Sequence, residues 1–147
     1  MSSEWIDDRY CFACGERNPI GMRLNFKLTE GGIEAKYAFP REMQGYSGVV
    51  HGGMISLLLD EVMVNLPWLK DKKPVVSAEI KVQFKKPLAI MEPVTARAWI
   101  DRQRKSLTWI KSVLIRDRDG EFVAQAEALC MKVDAEQMTF KKGNNGL

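Results

Sequence analysis

The sequence predicts an α+β fold in which one antiparallel β-sheet wraps around a single long central helix. Three observations point to it. A hairpin pattern comes first, a strongly apolar helical run follows, and four strand patterns close the chain. A length of 147 residues with 46% hydrophobic content suits one domain with one core. The expected domain is residues 1–147, with its core over about 11–133 and a loose tail over 135–147.

Element by element, "MRLNFKLTEGGIEAKYAF" alternates apolar residues on either side of Gly31-Gly32, so a β-hairpin is expected from Met22 to Phe39. From Pro40 to Gly52 glycine and proline break every period, which predicts a loop. The helix is expected over Gly53 to Leu66, with Pro67 stopping it or kinking its end and "KDKKP" forming a solvated connection. "VSAEIKVQF" then sets Ile80, Val82 and Phe84 on one face and Glu79, Lys81 and Gln83 on the other, a half-buried strand. Further strands are expected at Pro93 to Arg102, Leu107 to Arg116 and Glu121 to Val133, the last two joined across "DRDG" at Asp117 to Gly120. In the final strand Ala124, Ala126, Ala128 and Cys130 make a face of small residues that lets a crossing helix approach closely. Beyond Asp134, "AEQMTFKKGNNGL" loses alternation.

A formal charge of +3 is too small to argue for nucleic acid. No apolar run approaches the ~18 residues of a membrane span, and "MSSEWIDDRY" lacks a signal-peptide pattern, so a cytoplasmic location is expected. Three cysteines form no disulfide framework, in keeping with a reducing compartment. Cys11-x-x-Cys14 raises a zinc reading. Four ligands are usual, however, and only Cys130 and His51 remain among cysteines and histidines, so the expectation is no metal and burial in a loop.

The helix poses a sharper question. It is apolar nearly all round, hence buried, yet it carries Asp60 and Glu61 side by side. Burying a carboxylate is costly unless it is hydrogen-bonded or lies at a cleft, and adjacent residues point about 100° apart, so the two acids need separate explanations. At the helix start, Gly52 and Gly53 present exposed backbone N–H groups with the positive end of the helix dipole behind them, a candidate oxyanion hole for a polarised carbonyl. Asp60 is the candidate nucleophile or general base. Eight residues of helix are roughly 12 Å, too far for both groups to reach one carbonyl. Either the two groups form no common site, or the glycine and the acid come from different chains, as two antiparallel copies of the helix about a two-fold axis would provide.

"HGGMISLLLDEVM" resembles the signature of the hotdog-fold acyl-CoA thioesterases, in particular the PaaI-like, 4-hydroxybenzoyl-CoA thioesterase-like group with a helix-borne acid. "CFACGERNPIGMRL", "VQFKKPL" and "DRDGEFVAQAEA" are similar to further elements of that group, so the resemblance runs from about Cys11 to Val133. It implies the hotdog fold. It also implies that Asp60, nine positions after His51, is the catalytic acid, that the Gly52 amide polarises the thioester carbonyl, and that His51 shapes the loop. Ser77 matches a position where relatives often carry Ser or Thr near the reacting centre. Some relatives have an Asn where this chain has Gly45, and the adjacent Gln44 is placed to take that polar role.

Between Lys81 and Lys111 basic residues outnumber acids, which suits the phosphates of coenzyme A. Lys86 and the "RQRK" turn, with Arg102, Arg104 and Lys105, are the candidates to hold them. The expected activity is hydrolysis of an acyl- or aryl-CoA by a homodimer or dimer of dimers. Partners are the acyl-CoA substrate alone, without nucleic acid or membrane. No cofactor is required, since coenzyme A is part of the substrate and water is the other reactant. Two rivals are a hotdog hydroxyacyl-thioester dehydratase, whose relatives space His and acid further apart, and a hotdog domain that binds acyl-CoA without cleaving it, against which Asp60 argues.

Overall fold

The computed structural model describes residues 7–134; the tail expected over 135–147 lies outside the described residues. Six strands form one antiparallel sheet around one helix: β1 (Phe26–Thr29), β2 (Gly32–Ala38), α1 (Gly52–Asp71), β3 (Val75–Phe84), β4 (Pro93–Arg104), β5 (Leu107–Arg116) and β6 (Phe122–Lys132). Their spatial order is β1-β2-β4-β5-β6-β3, which leaves β1 and β3 as the two edges. Among the described residues no helix is long and apolar enough to cross a membrane.

The helix lies against the sheet through Ile55, Leu58, Leu59, Val62, Met63, Leu66 and Pro67, all buried. Cutting Leu58 or Leu59 to Ala would cost about 2–5 kcal/mol. The small-residue face of β6 is where α1 packs: Ala124, Ala126, Ala128 and Cys130 are all buried. Cys130 pairs with Ser77 on β3, and Ala124 with Phe84, so this face continues onto the edge strand.

Three expectations are corrected. The helix passes through Pro67 and ends at Asp71, where Lys72 turns left-handed (φ 54°) and donates its N–H to Pro67 O and Trp68 O. Proline deletes one helical N–H, but burial of Pro67 and this cap hold the last turn together. The first hairpin is shorter than Met22 to Phe39. Arg23 takes a positive φ of 55°, and Met22 and Leu24 donate their N–H groups to Phe12 O and Ala13 O (2.8 and 2.9 Å) instead of entering the sheet. Finally, β3 is not half-buried: Ile80 is 37% and Phe84 55% exposed, because nothing among the described residues pairs with its outer edge. Ile80, Val82 and Phe84 do share the helix-side face, their alternation with Ser77 kept by a bulge between Ser77 and Glu79.

Candidate active site

His51 caps the helix from extended backbone (φ −63°, ψ 132°), and its Nδ1 accepts the Gly53 N–H at 2.8 Å. That leaves Nε2 to carry the proton of the neutral ring. Met54 and Ile55 both donate to His51 O (2.9 and 3.3 Å). Of the first four amides of α1, only the Gly52 N–H has no partner among the described residues. The expectation of two free amides is corrected to one, because the capping imidazole takes Gly53. A Cβ at Gly52 would lie 3.2 Å from the Phe84 ring, so Gly52 sits directly beneath the end of β3.

The preceding loop folds back on itself. His51 N–H donates to Met43 O (2.9 Å), Gly45 N–H to Val49 O (2.8 Å), and Gln44 Oε1 accepts from Gly48 N–H (3.1 Å). Gln44 therefore braces the loop with its oxygen, and only its amide nitrogen is left to meet a substrate. A Cβ at Gly45 would meet the backbone and ring of His51 at 3.4–3.7 Å, an ordinary contact, so a side chain there would lie against the capping imidazole.

Further along the helix Asp60 faces the other end of β3. Burial raises its pKa, Ser77 pulls it back and the neighbouring Glu61 raises it again. Asp60 Oδ1 stays buried with no hydrogen-bond partner among the described residues. Burial, then the Asp60 charge, push the Cys130 thiol up to about 11, which puts Asp60 against the Ser77–Cys130 strand pair. So α1 runs opposite to β3, with Gly52 beside Phe84 and Asp60 beside Ser77.

The basic residues divide between the two ends of the sheet. Lys86, just past Phe84, is paired with Glu121 at 2.8 Å rather than standing free. Arg102 and Arg104 lie within β4, not in a turn, since the β4–β5 loop is only Lys105 and Ser106; the Arg102 guanidinium lies 4.2 Å over the Trp109 ring. This hairpin end lies near Ser77, because Lys132 donates to Ser106 O and pairs with Val75. Within one chain, Lys86 and the Arg102–Lys105 group are not brought together.

The family model of the thioesterase superfamily matches residues 47–123, more than half of the sequence. The chain belongs to the thioesterase superfamily. The matched span of this thioesterase-superfamily chain holds His51, Gly52, Asp60 and Ser77 and excludes Cys11 and Cys14. No curated protein matches the sequence significantly. Among solved structures, a phenylacetic acid degradation-related protein from Ralstonia eutropha JMP134 is 23% identical with a TM-score of 0.67, over 75% of this chain and 85% of the other. The E. coli PaaI protein from the phenylacetic acid degradation operon is 16% identical with a TM-score of 0.70, over 77% and 81%. A thioesterase-type protein from Streptococcus pneumoniae TIGR4, solved with coenzyme A, is 15% identical with a TM-score of 0.68, over 75% and 85%. The fold is the hotdog fold these proteins share.

Proposed function

We propose that the chain is an acyl- or aryl-CoA thioester hydrolase whose two active sites form across a homodimer. The observation that carries this reading is the buried, unpartnered Asp60 Oδ1 on a helix beside an unpaired sheet edge. A buried polar atom of this kind calls for a ligand or a partner. Adding a second copy antiparallel along β3, about a two-fold axis near Ile80 and Lys81, sets Ser77 of one chain opposite Phe84 of the other. That pairing carries Gly52 to Asp60 of the partner subunit, and removes the roughly 12 Å gap within one helix. It also brings Lys86 of the partner subunit to the Arg102–Lys105 end, assembling one basic rim for the coenzyme phosphates.

In such a site the Gly52 N–H, with the helix dipole behind it, donates to the thioester oxygen as that oxygen gains charge. Asp60 of the partner subunit takes a proton from water, whose oxygen bonds to the carbonyl carbon, or attacks that carbon itself to form an anhydride that water then opens. Collapse of the tetrahedral oxyanion breaks the C–S bond. On the general-base route the protonated Asp60 gives its proton to the departing thiolate; on the anhydride route the thiolate leaves as such and takes its proton from the water that later opens the anhydride and frees Asp60 as a carboxylate. His51 and Gln44 hold the Gly52 loop, and Ser77 orients Asp60. The relative solved with coenzyme A supports the substrate class. The enzyme needs no cofactor beyond the coenzyme its substrate carries, and it works in the cytoplasm.

The test is free-thiol release from short, long and aryl acyl-CoA substrates by wild type and a folded Asp60→Asn variant. We expect turnover in the wild type and a loss of at least ~100-fold in the variant. Binding without turnover on every thioester would leave an acyl-CoA-binding domain instead.

A further inference from the structure

Glu61 takes no part in the thioester site, and neither does the Cys11-x-x-Cys14 turn, yet the fold brings them together from 50 positions apart. The turn is tightly built. Gly15 N–H donates to Cys11 O at 2.8 Å, and a Cβ at Gly15 would lie only 2.4 Å from Cys11 N, so only glycine closes it. Ala13 within it is buried, and Phe12 O and Ala13 O accept the Met22 and Leu24 N–H groups, which fixes the turn against the body of the protein.

One donor atom each from Cys11, Cys14 and Glu61 lies within 4.8 Å of the others. Cys11 Sγ stands 3.6 Å from Glu61 Oε1. In a tetrahedral zinc site, with Zn–S about 2.3 Å and Zn–O about 2.1 Å, a sulfur and an oxygen ligand lie about 3.6 Å apart. The carboxylate is already oriented: Asn65 Nδ2 donates to Glu61 Oε1 and to Glu61 O, both at 2.9 Å, the outer-shell support that ligating carboxylates receive. A divalent ion at the centre would deprotonate a coordinating thiol.

We propose that Cys11, Cys14 and Glu61 bind one thiophilic divalent cation of the zinc type. Cys14 lines a groove of about 450 Å³ with Asp7, Arg9, Glu16 and Arg23, which gives the ion a way in and water a route to a fourth position. The ion clamps the N-terminal segment to α1 one residue from Asp60. This site is independent of the thioesterase reading: it stands or fails whatever the chain hydrolyses.

The experiment uses the whole chain, kept reduced, with zinc and cobalt(II) as probes. We expect roughly one zinc per chain after purification without chelator. Cobalt(II) should give the visible bands of a tetrahedral ion and a thiolate-to-cobalt charge-transfer band. The Cys11→Ser/Cys14→Ser variant should lose both, and Glu61→Gln should bind at least ~10-fold more weakly with its thiols intact. Equal metal uptake by wild type and the double cysteine variant overturns the proposal. So does equal affinity in Glu61→Gln, or an intrachain Cys11–Cys14 disulfide in protein isolated without oxidant. Should the cysteine variant fail to fold, the comparison of wild type with Glu61→Gln and the wild-type cobalt spectrum decide alone.

Discussion

The two edges of the sheet are built for opposite ends. β1 has four residues and stops at once, the short strand by which proteins blunt an edge. β3 has ten residues and exposes Val76, Ile80 and Phe84 alongside Glu79, Lys81 and Gln83, a long edge with enough apolar surface to take a second strand. Of the two edges, β3 alone lies beside the Gly52 amide and Asp60 Oδ1, both without a partner among the described residues, so the edge open to a second strand is also the one where the proposed site is incomplete.

The largest effect expected is a complementation. Asp60→Asn and Gly52→Pro each destroy a different half of a site. Proline suits the first helical position, His51 already has the extended backbone a following proline requires, and Phe84→Leu relieves the 3.2 Å approach to the new ring. Each variant alone should lose at least ~100-fold in thiol release. Subunits mixed through unfolding and refolding should regain roughly a quarter of wild-type activity, since half the dimers then carry one whole site of two. No recovery from two dimeric, folded variants would place glycine and acid in one chain.

Next in size is a charge on the open edge. Ile80→Lys sets like charges across the two-fold axis, so sedimentation should show a monomer and activity should fall at least ~10-fold. A dimer that survives would move the interface elsewhere. Lys86→Ala should raise KM for the CoA thioester by about 2–5-fold with kcat unchanged, the scale of an exposed charge contact. Its Tm should hardly move. The smallest effect belongs to the other edge: Leu28→Lys on β1 should leave oligomeric state and activity within about 2-fold of wild type, as exposed substitutions do. A large loss there would erase the distinction between the edges.

The succession of strands and helix along the chain was legible because alternation and the apolar run are local signals, and the small face of β6 showed where the helix would press. What escaped depended on three-dimensional neighbours. Nothing local to Arg23 announces the positive φ that keeps Met22 out of the sheet. The loss of the Gly53 amide needs the His51 ring to be in its capping position. Glu121 is 35 positions from Lys86, so their pairing is invisible in the sequence. The approach of Glu61 to the cysteine pair was equally silent, because a carboxylate 50 residues from Cys11 gives no spacing signal.

The row Ala124, Ala126, Ala128 and Cys130 sets how high α1 rides above the sheet. Placing a larger side chain there costs about 1–3 kcal/mol and shifts backbone rather than only side chains. The shift is passed to a rigid rod that holds Gly52 at its tip and Asp60 at its middle. In the proposed dimer a single added methyl group would thus detune both sites at once, with no ligand contact altered. Variation in this row is accordingly expected to show itself as a change in turnover, in proteins that still fold and assemble.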